Sequence, residues 1–261
     1  MTDREERTRQ QYATDANLTA RINLHRRFST NPISWNRWVF DQMRLSNGAH
    51  VLEIGAGTGR LWSENRHRLP AGFRLVFSDP SGGMLASATE RLADVGNVEF
   101  RQMDASNVTE DDQTFDTVIA NHMLYEVPDR IAVFQEVVRV LRPDGRFYAA
   151  TNGENHMHEL DALIAQPEKT REISTTRFSL ENGAKQLAPY FDSVELARYQ
   201  NPLAITDVSA VVAHVASLSL DLSQTELNSI GEAVDDIIAK DGAFRVTPDT
   251  GMFLCAHPRR S

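Results

Sequence analysis

The chain predicts an α/β domain built on a parallel sheet with helices on both faces. Three observations lead there. Between residues 48 and 152, short apolar, β-rich runs alternate with stretches of helical period. The run VLEIGAGTGRL (51–61) carries a strand into a glycine-rich turn and then a helix. Finally, Val133, Phe134, Val137, Val138 and Leu141 form a single apolar stripe suited to packing on a sheet.

Taken in order, residues 1–47 lack strand patterning and place Leu18, Ile22, Trp35, Trp38, Val39 and Met43 at helical spacing. They are expected to form two or three helices acting as a lid, with a break at Asn31-Pro32, a cap near Ser29 or Thr30, and Trp35 and Trp38 in the core. Strands are expected at 51–55, 74–79, 98–104, 115–121 and 146–151, and helices at 60–68, 83–95 and 130–141. RPDG (142–145) reads as the turn that ends the last of these helices. Beyond residue 152 the pattern loosens: 158–190 reads as mostly helical, 193–199 as a strand, and 207–218 and 227–240 as helices. Residues 244–257 resemble a hairpin around Pro248-Asp249-Thr250-Gly251. With no internal repeat or linker, the reading is one domain (48–261) carrying helical cap segments at 153–190 and 200–243.

Composition narrows the function. The net charge of −9 argues against a phosphate-backbone partner, so nucleic acid is not expected as a substrate. The locally basic segment 21–28 is short and amphipathic, and reads as a helix face or a cofactor-facing segment, with a polyanion site as the alternative. A single cysteine, Cys255, supplies neither an internal disulfide nor a zinc-ligand cluster. The first ten residues are too charged for a secretory signal, and no apolar stretch approaches about 18 residues. A cytoplasmic protein with no membrane segment is expected.

In Gly55-Ala56-Gly57-Thr58-Gly59 the missing side chains let a ligand approach the backbone at a helix start. A triphosphate loop needs Lys and then Ser or Thr after the glycines, and Arg60-Leu61 stands there instead. A dinucleotide fingerprint needs glycine at position 60, which counts against a nicotinamide oxidoreductase. Three carboxylates sit at or near successive strand ends: Glu53 inside the first strand, Asp79 closing the second and Asp104 the third. Asp79 is placed to accept ribose hydroxyls and Asp104 to meet an adenine amino group, and Glu53 is costly to bury unless hydrogen-bonded. A ligand with ribose, adenine and a positive charge fits this set.

On these residues the chain resembles the class I S-adenosylmethionine-dependent methyltransferases of small-molecule type. VLEIGAGTG corresponds to the family's first motif, FSDPS to the ribose-binding acid, QMDA to the adenine contact, and FDTVIAN and LRPDGRF to the fourth strand and the approach to the fifth. The resemblance covers about residues 48–152. It implies a Rossmann-like sheet of seven strands, order 3-2-1-4-5-7-6, one of them antiparallel, with S-adenosylmethionine lying across the carboxyl ends. Its cofactor residues would be Tyr12, Arg21, Glu53, Gly55, Ala56, Gly57, Asp79, Pro80, Met84, Asp104, Ala105, Asn121 and His122.

Methyl transfer is an in-line displacement, so holding the nucleophile near the methyl carbon and excluding water count for most. A general base is optional. ANHMLYEVPD (120–129) enters the cleft from the fourth strand, making His122 a catalytic candidate and Tyr125 and Glu126 substrate contacts; the alternative is that His122 only caps the strand. TNGENHMHE (151–159) offers His156 as catalytic base or substrate contact. A metal held by Glu154, His156 and His158 and a solvated helix start are the alternatives. In the N-terminal segment His25 is a substrate candidate. Arg21 would pair with the methionine carboxylate and Tyr12 would cover the sulfonium; simple helix packing is the alternative. The expected substrate is a secondary metabolite enclosed by the lid and cap. A fainter likeness to C-methyltransferases of indole alkaloid and terpenoid pathways, of teleocidin type, would give His156 and Tyr199 the task of steering a cation. A cofactor-binding regulatory protein is the non-enzymatic alternative, and the N-terminal helices offer a surface for a homo-oligomer.

Overall fold

The computed structural model describes residues 16–164, 177–218, 220 and 222–260. Its main sheet has seven strands in the order β3-β2-β1-β4-β5-β9-β6. Strands β1 (His50–Ile54), β2 (Arg74–Asp79), β3 (Val98–Gln102), β4 (Phe115–Asn121) and β5 (Leu141–Asn152) run parallel. β9 (Asp249–Pro258) is antiparallel to both β5 and β6 (Phe191–Gln200). The expected strand order therefore holds, with β9 as the antiparallel insert.

The central strands are apolar on both faces because both are covered. Leu52, Ile54, Val118 and Phe147 pack on one face with Phe134 and Val137 of α5 (Arg130–Val140). Val51, Leu75, Phe77, Ile119 and Tyr148 pack on the other, with Val39 of α2 (Trp35–Met43), Trp62 of α3 (Arg60–Asn65) and Ala88 of α4 (Gly82–Arg91). A 3₁₀ turn (Arg66–Arg68) follows α3, so this helix, like α4, is shorter than its apolar pattern suggests.

The expected hairpin at 244–257 does not form. Its first half is β8 (Phe244–Val246), which pairs with β7 (Leu203–Ile205) in a separate two-stranded sheet, while its second half is β9. The reason is burial: Met252, Phe253 and Cys255 are all at most 1% exposed, and an arm buried on both faces belongs in the middle of a sheet. RPDG likewise lies inside β5, which starts at Leu141 directly after α5 and shifts register between Phe115 and Thr117. Of the expected helical stretch 158–190, the described residues hold only α6 (His158–Asp161) and α7 (Gly183–Leu187).

A third apolar core lies outside the main sheet. Leu24 and Phe28 of α1 (Ala16–Phe28) meet Leu160, Leu203, Ile205, Phe244 and Val246. Val211 and Val215 of α8 (Val208–Ala216) and Ile230 and Val234 of α9 (Gln224–Asp241) complete it. A β-bridge between Ser29 and Leu203 pins the end of α1 to this cap. The N-terminal helices are thus not one lid: α1 is built into the cap, whereas α2 packs on the sheet. Trp35 and Trp38 are only partly buried beside that core, short of the fully buried place expected for them.

Leu24→Ala tests the placement of α1. Its side chain is 1% exposed, so truncation is expected to cost about 2–5 kcal/mol in denaturant unfolding; a loosely attached lid would lose almost nothing.

Candidate active site

Parallel strands that share a register end together, and β1, β2 and β4 bring their carboxyl ends to one edge. Directly after β1, Gly55, Gly57 and Gly59 have φ of 59°, 62° and 75°, a left-handed run that glycine adopts without strain. A Cβ on Gly57 would meet nothing within 4 Å, so the loop borders open space there. Asp79, 6% exposed at the end of β2, accepts from the Gly57 N–H at 2.9 Å and the Ser81 N–H at 2.8 Å. Burial raises its pKa, opposed by those two hydrogen bonds. The site thus offers a preformed carboxylate beside an open, side-chain-free loop, which suits a neutral ribose edge. Met84 and Ala105 are buried, Pro80 is exposed, and the Pro80 carbonyl accepts from Gln102 Nε2.

The other two carboxylates have surroundings unlike those of Asp79. Glu53 shares its strand face with Val51, which turns it under α3; it is 1% exposed and accepts from Trp62 Nε1. Burial pushes its pKa up to about 8, the Trp62 bond opposing and Asp79 adding to the rise. Asp104 is exposed, its Oδ1 accepting from the Ser106 N–H and hydroxyl in a local turn.

The second half of the site lies at the ends of β4 and β5, and Met123 joins it to the first. A Cβ on Gly55 would come within 2.9 Å of the Met123 side chain, so the segment after β4 lies directly on the glycine loop. Asn121 accepts from Trp35 Nε1 at 3.2 Å, and His122 adopts φ of 58°, strained for a side chain of its size. The Trp35 ring is 5.0 Å from His122 and 5.4 Å from Tyr199, with Trp38 stacked behind it at 5.2 Å. Tyr125 lies 6.5 Å from His122, and burial, with Glu126 nearby, raises its pKa.

Around this aromatic wall four histidines gather. His25 of α1 and His156 after β5 have ring centroids 6.4 Å apart. Burial lowers the pKa of His25, His122 and His156 to about 4 each, with His156 acting on His25, His25 on His122 and His122 on His156. His214 of α8, 6% exposed, is lowered to about 3 by burial and by His25, Arg21 and His156. All four are neutral at pH 7, and the region they share, where the cap meets the ends of β4 and β5, is the histidine chamber. Arg21 closes one side: its Nη2 donates to the Ser217 carbonyl at 2.7 Å and its Nε to the Ser217 hydroxyl at 3.3 Å.

The structure therefore brings together Asn121, His122, Tyr125, His25, His156 and Tyr199, with Glu126 in the same turn as Tyr125. Tyr12 lies outside the described residues. His158 is exposed, with Nδ1 3.5 Å from Glu159, and among the described residues no group of His, Cys, Asp and Glu side chains that includes it is arranged to hold a metal ion. His214 and Asn201 have no counterpart in the expectations from sequence, although a lone histidine in VVAHVAS is a visible signal: one polar side chain in an otherwise apolar helix.

Comparison with known proteins agrees with this geometry. Residues 51–145 match a family model described as a methyltransferase domain. Over those residues the chain is similar to a methyltransferase domain. Over 115 residues it is 34% identical to the ubiquinone/menaquinone biosynthesis C-methyltransferase UbiE of Idiomarina loihiensis, covering 43% of this chain and 46% of that protein. The UbiE of Hahella chejuensis matches to the same extent, so the aligned part spans less than half the length of these curated relatives. Among solved structures, phosphoethanolamine N-methyltransferase 2 of Haemonchus contortus with S-adenosyl-L-methionine superposes with a TM-score of 0.63 at 16% identity, over 99% of this chain and 61% of that one. Geranyl diphosphate C-methyltransferase of Streptomyces coelicolor gives 0.54 at 15% identity, over 94% and 84%. These two show the shared fold. S-adenosyl-L-methionine is the ligand of the Haemonchus contortus enzyme, and the Gly55–Gly59 loop with Asp79 has room and an acceptor for an adenosyl group of that kind.

Because the chamber histidines bind protons less readily in the folded chain, stability must fall as pH drops from about 6.5 to about 4, where only the unfolded chain takes them up. Thermal unfolding should show this fall, and His214→Leu should make it shallower. Glu53 acts in the opposite sense: between about 4.5 and about 8 the folded chain keeps a proton that the unfolded chain releases. Glu53→Gln, which keeps an oxygen for Trp62, is therefore expected to match or exceed the parent stability at pH 8, whereas a stability loss there would show that the carboxylate is ionised in the fold.

Proposed function

We propose that this protein transfers a methyl group from S-adenosylmethionine to an oxygen, nitrogen or carbon atom of a small molecule seated in the histidine-lined chamber, as a cytoplasmic step of secondary-metabolite synthesis. The observation that carries this reading is the contact of Met123 with Gly55, which sets Asn121 and His122 between the glycine loop and the chamber. When bound, the cofactor supplies an electrophilic methyl on a positively charged sulfur. The chain's own residues supply the rest. Asp79 and the glycine loop hold the adenosyl end, and the Trp35, Trp38 and Tyr199 rings exclude water from the acceptor side. Neutral histidines tolerate the neighbouring positive sulfur, which protonated ones would repel.

The histidine chamber beside the cap supports a metabolite as acceptor in preference to a polymer, and the net charge of −9 supports an acceptor other than nucleic acid. Among the described residues no helix is long and apolar enough to cross a membrane. A more specific version has carbon as the methylated atom. The names of the C-methyltransferase relatives support it, and the Trp35–Trp38–Tyr199 faces would stabilise a cation formed by methylating a prenyl double bond, as in a teleocidin-type reaction.

Isothermal titration with S-adenosylmethionine tests the cofactor half: Asp79→Ala should weaken binding about 10- to 100-fold. No binding to the parent chain, or binding unchanged in the variant, would refute the assignment. Incubating radiolabelled cofactor with a metabolite library tests the transfer. Label uptake should collapse in a His122→Ala and His156→Ala double variant, and undiminished uptake would remove both histidines as essential groups.

A further inference from the structure

Hydrogen bonds within the chamber determine what each imidazole offers a ligand. The Asp249 carbonyl lies 3.0 Å from His156 Nδ1 and has no proton to give, so His156 carries its proton on Nδ1 and a lone pair on Nε2. Thr250 reinforces this tautomer: its hydroxyl donates to Asn152 Oδ1 at 2.9 Å, leaving an oxygen lone pair toward the same Nδ1 at 3.2 Å. Among the described residues, Nε2 of His156 has no hydrogen-bond partner. His25 is the reverse case. Asn201 accepts from the Ser29 hydroxyl through Oδ1, which turns its Nδ2 toward His25 Nδ1 at 3.5 Å and keeps the His25 proton on Nε2. His214 adds a ring nitrogen, Nδ1, that is buried and has no partner among the described residues.

The cluster thus holds a free lone pair, an N–H and an unpaired nitrogen. One hydroxyl answers the first two, donating to His156 and accepting from His25, and a further polar atom would satisfy His214. The charged groups that act on these rings are Arg21 on His214 and Glu159 on His156. Glu159, the carboxylate that acts on these rings, has its Oε2 engaged by the Thr247 N–H at 3.0 Å.

Resting on the methyl transfer proposed above, we infer that this end of the chamber binds an acidic hydroxyl of the acceptor, a phenol or an enol, and that His156 Nε2 takes its proton. The O–H bond breaks and the proton passes to Nε2. The electron pair left on oxygen, or on the carbon conjugated with it, forms the bond to the methyl group, and the methyl–sulfur pair stays on sulfur. Charge is conserved without a carboxylate: the positive charge that leaves sulfur reappears on the imidazole.

Side-chain nitrogen NMR of the full chain, saturated with S-adenosylhomocysteine and titrated separately with phenol, anisole and benzylamine, tests the assignment. His156 should be the Nδ1–H tautomer and His25 the Nε2–H tautomer, and the His156 Nε2 resonance should move with phenol alone. The opposite His156 tautomer, an equal response to anisole or benzylamine, or no response to phenol would overturn it. In a second arm, His156→Gln, which can still donate to the Asp249 carbonyl, should transfer methyl to a library of phenols about 100-fold more slowly with unchanged S-adenosylmethionine affinity. Parent rates in that variant would overturn the proton-acceptor role, whereas failure of the parent chain to bind S-adenosylmethionine would refute the methyltransferase reading instead.

Discussion

The parallel register of β1 between β2 and β4 is the constraint on which the site depends. Pairing Glu53 with Phe77 on one side and with Ile119 on the other makes three strands finish at one edge, where the chain must turn three times in close quarters. The glycine loop, Asp79 and Asn121 owe their proximity to that alignment. Strand order reverses between β1 and β4, opening the crevice in which a ligand can lie across the strand ends. A slip of one residue would send Glu53 to the opposite face and remove it from Trp62.

What β1 to β4 assemble at one end, the cap completes at the other. Its core is separate from the two sheet cores, yet it supplies His25, Arg21 and His214 to the same space. The Arg21–Ser217 bonds and the Ser29–Leu203 bridge tie α1 into the cap, so this wall is structural and does not depend on a ligand to order it. Chamber chemistry follows from burial: imidazoles taken out of water stay neutral, the pull of Glu159 on His156 being outweighed, which makes them hydrogen-bonding groups compatible with a sulfonium.

Much of this was legible in local pattern. The five parallel strands, the glycine turn and the acid closing β2 each carry their signal within ten residues or so. What failed to show depends on distant partners. The run 244–257 has the composition of a hairpin, but its two halves pair with β7 and with β5 and β6, and the burial of Met252 on one face and of Phe253 and Cys255 on the other explains the split. Trp35 reads as core by helical spacing, although its Nε1 is drawn to Asn121, 86 residues away. His25 and His156 stood out as candidates, but their tautomers rest on Asn201 and Asp249, contacts that no sequence spacing encodes.

On the methyltransferase proposal, the glycine loop and the histidine chamber are two halves of one site. A crystal structure with S-adenosylhomocysteine tests it directly. The ribose is expected on Asp79 and the sulfur past Asn121 and His122, toward His156. An adenosyl group bound elsewhere, or a sulfur directed away from the histidines, would contradict it.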